Sequence, residues 1–256
     1  MWDLLSRDPA EQTVALTVIQ AVRKGHRFSD QPMLFGWYDD GEVRGAVSFT
    51  PPFELLLAVV PDDTIDGLAA ALRETGLPGI NGEPATAERF VAAWQPERAE
   101  VAFEMRLYRL GELRSPEAPA GRARAADAGD SELAARWFAA FEDDAGVKRT
   151  NVEAAARERI DDGRLWLWED GAGTPVSLAA RTATAVGVTR IRPVYTPADQ
   201  RRRGFGAAVT AACTADALAR GAEEVVLFTD LANPTSNSIY QSIGFRPIGD
   251  RRVVRF

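Results

Sequence analysis

Two short segments in the last quarter of the chain combine residue types that can bind an anion and handle a proton. The first is Arg201-Arg202-Arg203-Gly204-Phe205-Gly206-Ala207, which precedes a helical pattern. Glycines at 204 and 206 let successive backbone N–H groups converge, and the start of a helix adds a positive potential, so this composition suits a phosphate cradle. The second segment runs Asn233-Pro234-Thr235-Ser236-Asn237 and leads to Tyr240 and then Gly244-Phe245. Asn233 is a good helix N-cap with Pro234 at the first helical position, and Tyr240 brings a phenol toward the cradle. A packed aromatic ring is the alternative reading of Tyr240.

The elements that must position these segments can be read outward from them. A helix is expected from about 204 to 220, with Gly221 as its stop, then a strand over 225 to 229, a helix from 234 to about 243 and a last strand over 251 to 256. Upstream, three strands are expected over 164 to 169, 176 to 183 and 188 to 195, the first two joined by the turn Asp170-Gly171-Ala172-Gly173. Before them come a short strand over 121 to 126 and two helices. The first, 132 to 141, should bury Leu133, Trp137 and Phe141 at i, i+4 and i+8. The second should start at Thr150, which has capping-box spacing to Glu153, and run to about 160.

Both segments resemble the two signature motifs of the GNAT superfamily of N-acetyltransferases. Arg201, Gly204 and Gly206 fit its Arg/Gln-x-x-Gly-x-Gly/Ala motif, and Asn233, Tyr240, Gly244 and Phe245 fit its Asn, six residues, Tyr, three residues, Gly-Phe motif. The resemblance covers about 130 residues and also matches the family's order of elements. It implies an α/β (α+β) protein in which the fourth and fifth strands splay apart and the pantetheine arm of acetyl-CoA lies in the gap. Backbone N–H groups of Arg202, Arg203, Gly204, Phe205, Gly206 and Ala207 would then bind the pyrophosphate, with the Arg201, Arg202 and Arg203 side chains as further anion partners. Val194, Tyr195 and Thr196 would pair with the pantetheine, and an amide near Val194 would polarise the acetyl carbonyl. Asn233 and Asn237 would contact the arm and the acetyl end, and Tyr240 would protonate the departing thiolate.

No base for the amine is evident. Asp230, at the end of the fifth strand, is the first candidate, although a carboxylate there can equally cap a loop. Glu142, Asp143 and Asp144, expected between the first two helices, are the second. With Trp137 and Phe138 they would line an acceptor pocket for a primary amine of a small molecule or peptide. A coenzyme-A-binding sensor without turnover is the alternative function.

The first half carries a fainter version of the same pattern. An aromatic strand over 33 to 38, the turn Asp39-Asp40-Gly41, a strand over 43 to 48 and another over 53 to 60 repeat the order seen around 164 to 195, and Pro61 stands where Pro197 stands. After Pro61, however, Asp62-Asp63-Thr64-Ile65-Asp66-Gly67 is acidic and would repel a pyrophosphate. This predicts two GNAT-like domains, each a mixed, mostly antiparallel sheet flanked by helices: a degenerate one over 1–115 without a cofactor site, and a catalytic one over 116–256. The segment Ser115-Pro116-Glu117-Ala118-Pro119-Ala120-Gly121 reads as the linker, and Val101, Phe103, Met105 and Leu107 as the inner face of a preceding strand.

Composition narrows the function classes. Among 256 residues the net charge is −7, with 28 Arg and 2 Lys, which argues against nucleic acid as the main partner. No apolar run is long enough for a membrane span and the start lacks the regions of a signal peptide, so a cytoplasmic protein is expected. His26 and Cys213 are the sole residues of their types, so no Cys/His metal site is expected, and Val209 and Ala217 at helical spacing around Cys213 predict a buried small hydrophobe. Monomer and homodimer are both open.

Overall fold

The computed structural model describes all residues except 118 and 148–150, and the side chain of residue 39. The chain gathers into two compact units. The first comprises Met1–Leu107, Thr229–Asn233 and Pro247–Phe256, and the second comprises Tyr108–Phe228 and Pro234–Arg246. Whereas the proline-rich segment suggests a division at 115/116, the structure divides within a strand and returns two later pieces of chain to the first unit.

In the first unit, α1 (Trp2–Leu5) and α2 (Thr13–Arg23) precede β1 (Leu34–Asp39), β2 (Val43–Phe49), β3 (Leu55–Val59), α3 (Ile65–Ala71), β4 (Gly79–Gly82), α4 (Pro84–Trp94) and β5 (Glu100–Leu110), whose last residues belong to the second unit. β1, β2 and β3 form an antiparallel meander, and β4 lies parallel to β3 with Leu55 opposite Ile80. Phe49, Leu55, Leu57, Ile65, Ile80 and Phe90 form its core.

The second unit runs β6 (Arg122–Ala125), α5 (Ser131–Asp144), α6 (Val152–Asp161), β7 (Leu165–Glu169), β8 (Pro175–Arg181), β9 (Val188–Tyr195), α7 (Phe205–Ala219), β10 (Glu224–Asp230), α8 (Pro234–Ser242) and β11 (Phe245–Arg255). β6 to β9 are antiparallel in sequence order, and β10 pairs parallel with β9. Strand alternation divides the buried side chains between two cores. Leu165, Leu167 and Leu178 pack with Phe138 and Ile160 of α5 and α6, while Trp168, Ile191 and Leu227 pack with Val209 and Cys213 of α7. Cys213 is fully buried, and burial pushes its thiol up to about 12, which agrees with a packing role.

The two units repeat one plan. A three-strand meander leads to a helix, a strand parallel to the third, and a helix opening on proline, Pro84 in one and Pro234 in the other. At the position of the cradle, the first unit has Asp62 and Asp63 ahead of the seven-residue α3, and these carboxylates pair with Arg89 and Arg44.

Several local expectations are corrected. α5 buries Ala134, Phe138 and Glu142, one position along from the expected stripe, while Leu133, Trp137 and Phe141 are half-buried on its flank. Aromatic periodicity alone does not distinguish these adjacent stripes, because the sequence carries apolar residues on both. Glu142, Asp143 and Asp144 lie inside α5, not beyond it. α6 opens on Asn151, whose side chain accepts the Ala154 N–H at 3.0 Å; Thr150, the expected cap, lies outside the described residues. β11 starts at Phe245, six residues before the expected strand. In β5, Val101 is 51% exposed while Leu107 and Tyr108 are both fully buried, so the strand is covered on two faces at its end and on neither at its start.

Candidate functional site

The gap anticipated between the fourth and fifth strands is present. β9 and β10 are paired from Val188↔Glu224 to Ile191↔Leu227 and no further, although β9 continues to Tyr195. Beyond Ile191, β9 stays attached only on its β8 side, where Ala179 opposes Val194 and Leu178 opposes Tyr195. Val194, Tyr195 and Thr196 therefore stand along one edge of a cleft. Ser177 of β8 fixes that edge: its hydroxyl donates to the Tyr195 carbonyl at 3.0 Å and shares a hydrogen bond with the Thr196 hydroxyl at 2.8 Å.

The cradle follows directly in the chain. Arg202 has φ of 63° and Gly204 φ of 84°, so the backbone turns through the left-handed region twice before α7 starts at Phe205. Such turns aim consecutive N–H groups to one side. The first helical donor to find an acceptor is Ala208, on Gly204 O at 3.1 Å; among the described residues the N–H groups from 202 to 207 have no acceptor in the fold. A side chain at Gly206 would come within 3.4 Å of the Thr196 hydroxyl, so the space above the helix start is bounded by β9.

The three arginines have different fates. Arg201 donates to the Thr196 carbonyl at 3.0 Å and to Asp144 at 2.5 Å and lies against the Tyr195 ring, which ties the cradle to β9 and α5. Arg203 donates to Gln200 at 2.6 Å and stacks on Phe205. Arg202 is exposed. Arg201 is thus a brace, and the open donors at the start of α7 are backbone N–H groups.

α8 holds Asn237 and Tyr240 on adjoining turns. Tyr240 is half-buried, with its ring edge-on to Phe245 at 6.3 Å between centroids, and among the described residues nothing bonds to its hydroxyl. Burial pushes the phenol up to about 12. Asn237 accepts the Tyr108 hydroxyl at 2.8 Å, and Gln241 donates to that same hydroxyl at 3.1 Å. Tyr108 was legible as a strand residue but fell on the outer face of the alternating pattern, so its role in fixing α8 is visible only in the fold. Tyr108→Phe should lower unfolding stability by about 1–2 kcal/mol, since it removes both bonds at a buried site; urea denaturation would measure it. Gly244, with φ of 105°, is required because a side chain there would meet the Glu112 carbonyl, and residues 111 and 114 hydrogen-bond to Gly244 O and Ile243 O.

Asn233 immediately precedes α8, and its N–H donates to Asp230 O at 3.1 Å. Asp230 accepts the Ala232 N–H on its carboxylate at 2.8 Å, which makes it a cap of its own turn. On the α5 flank, the Trp137 ring lies 6.1 Å from that of Tyr195. Glu142 is 6% exposed and Asp143 is on the surface. Among the described residues no helix is long and apolar enough to cross a membrane, and no group of acidic, His or Cys side chains could hold a metal ion.

Comparison with known proteins agrees with this geometry. The family model described as FR47-like protein matches residues 172–254, a range that contains both the cradle and α8. Mycothiol acetyltransferase of Thermobispora bispora is 29% identical over 239 residues, covering 81% of this chain and 78% of its own. A GCN5-related N-acetyltransferase from Sphaerobacter thermophilus superposes with a TM-score of 0.70 at 18% identity, over 93% of this chain and 84% of that one. A tandem GNAT protein from the clavulanic acid biosynthesis pathway gives a TM-score of 0.57 at 13% identity, over 93% and 86%. The splayed strands and the repeated plan of the two units are the fold that these acetyltransferase structures share, and the chain is similar to them along most of its length.

Proposed function

We propose that the second unit transfers an acetyl group from acetyl-CoA to a primary amine of a small molecule or peptide, by direct attack in a ternary complex. The observation that carries this reading is the row of N–H groups from 202 to 207 left open at the start of α7, beside a strand edge freed by the splay. Those donors and the helix dipole suit a pyrophosphate, and the edge at Val194 to Thr196 suits an extended, amide-bearing arm. The thioester supplies an activated acyl group. An amide at Val194 polarises its carbonyl and stabilises the charge that builds on oxygen as the amine attacks.

Tyr240 serves the leaving sulfur. With its phenol pushed up to about 12 by burial, above the range of a thiol, complete proton transfer to the thiolate is uphill. Tyr240 therefore acts as a hydrogen-bond donor that holds the thiolate, and the proton that finally neutralises the sulfur comes from solvent. Asp230, engaged by its own turn, is assigned to loop structure, and water accepts the proton of the amine.

Tyr240→Phe should leave acetyl-CoA affinity nearly intact and lower kcat about ten- to hundredfold, the worth of one charge-assisted hydrogen bond. Because the phenol stays protonated up to about pH 12, the kcat profile should show no falling limb from Tyr240 between about pH 7 and 10. Unchanged turnover of the variant at every pH would reduce Tyr240 to packing. Acetyl-CoA binding without consumption across a broad amine panel would favour the sensor reading instead.

A further inference from the structure

We propose that Ser177 is a positioning residue for the cofactor: its buried hydroxyl donates to the hydroxyl of Thr196, which in turn donates to a pyrophosphate oxygen held over Gly206. The inference rests on the proposed cofactor site at the start of α7 and adds to it a side-chain donor together with the group that aims it.

Ser177 stands in β8 opposite Trp168 of β7, and Trp168 packs on the α7 face of the sheet, so the Ser177 side chain is on that face too. It is fully buried. A hydroxyl in such a place costs free energy unless it is bonded, and alanine would occupy the position without that cost. Two oxygens lie within its reach, the Tyr195 carbonyl at 3.0 Å and the Thr196 hydroxyl at 2.8 Å. Thr196 is half-buried, and its backbone is anchored by Arg201, whose Nε donates to the Thr196 carbonyl at 3.0 Å. A Cβ at Gly206 would lie 3.4 Å from the Thr196 hydroxyl, so that hydroxyl borders the second glycine of the cradle.

Ser177 has a single hydroxyl proton, and a carbonyl only accepts. While Ser177 donates to Tyr195, the proton between the two hydroxyls therefore belongs to Thr196, which directs it toward β8. An anion at Gly206 reverses the chain. Thr196 turns its proton to the phosphate, and Ser177 turns its own to Thr196, the nearer of its two oxygen partners. Both hydroxyls stay bonded and no heavy atom has to move. The Tyr195 carbonyl gives up one donor, and a charge-assisted bond, the stronger kind, forms in exchange. Donation from Ser177 also polarises the Thr196 hydroxyl and strengthens its bond to the anion. The backbone N–H groups from 202 to 207 are thus joined by a hydroxyl on the facing wall, so the pyrophosphate is gripped from β9 as well as from α7.

The test titrates coenzyme A calorimetrically into the full chain and its variants. Thr196→Val, which keeps the shape and removes the hydroxyl, should weaken binding about tenfold, and Thr196→Ser should restore it to within about twofold. Ser177→Ala should weaken binding about threefold in the wild-type chain and leave it unchanged in a Thr196→Val background, where the relay has lost its last link. The pyrophosphate phosphorus resonances of bound coenzyme A should move in Thr196→Val while the ribose phosphate resonance stays in place. Equal affinity of Thr196→Val and wild type overturns the proposal. So does a Ser177→Ala effect that persists undiminished on Thr196→Val, the mark of a hydroxyl that only fastens β8 to β9. The same proteins are assayed with acetyl-CoA and an amine panel. Thr196-dependent binding without acetylation keeps this inference and sinks the acetyl-transfer reading; acetylation with binding indifferent to both hydroxyls does the reverse, and a chain that binds no coenzyme A overturns both.

Discussion

Residues 116–256 expressed without the first 115 should be aggregated and should not bind acetyl-CoA, although they contain both motifs. β11 is the reason. Its residues Arg252, Val253, Val254 and Arg255 pair antiparallel with Gly82, Asn81, Ile80 and Gly79 of β4. Val253 and Val254 are 1% and 4% exposed, and Phe256 stacks on Trp94, which stacks on Phe90, at 6.0 and 5.8 Å. Arg251 bonds to Glu11 at 2.8 Å, Arg255 to Glu54 at 3.1 Å, and Arg252 holds Glu88 and Glu104. Every one of these partners is absent from the fragment. The two buried valines are worth about 1.5–3 kcal/mol each and the half-buried Phe256 adds to them, a large share of the 5–15 kcal/mol that holds a domain, and the bared strand is a template for aggregation. Co-expressing 1–115 and 116–256 as separate chains should restore solubility and co-purification, because the β4–β11 ladder needs no peptide link. A monomeric fragment with full acetyl-CoA affinity would show that β11 is dispensable.

That dependence on the first unit was half legible in the sequence. The repeat could be seen in the aromatic strand, acidic turn and small-residue strand around 33 to 48, because turn chemistry and strand alternation are local properties. The destination of β11 could not, since a strand's partner is chosen by long-range pairing, and nothing in 245 to 256 names β4. The site shows the same division. Arg201, Gly204, Gly206, Tyr240 and Gly244 stood out because backbone geometry demands particular residue types at fixed spacing. Tyr108, whose hydroxyl is bonded to Asn237, did not, because its meaning lies in what the fold brings beside it. The α5 face was misplaced by one position for a related reason: Glu142 occupies a buried position that hydrophobic periodicity assigns to an apolar residue.

Gly204→Glu should weaken acetyl-CoA binding by at least about a hundredfold. Two effects act together. Gly204 has φ of 84°, where a side chain costs about 1–2 kcal/mol, so the substitution loosens the turn that aims the N–H groups. The added carboxylate would also stand at the start of α7, where the pyrophosphate is proposed to bind; at roughly 5 Å and an effective dielectric constant near 20, each like-charge pair costs about 3 kcal/mol. Gly204→Asn separates the terms, because asparagine tolerates the left-handed conformation and carries no charge; it should cost less than about tenfold. Among the described residues a side chain at this position would meet nothing closer than Pro119 carbons at 3.8 and 3.9 Å, so neither variant should disturb the core. Calorimetry on the wild-type chain should give one acetyl-CoA per chain, because Asp62 and Asp63 occupy the corresponding turn of the first unit and are held there by Arg89 and Arg44. Binding that survives Gly204→Glu, or two equivalent sites per chain, would move the cofactor away from α7 and take the proposed mechanism with it.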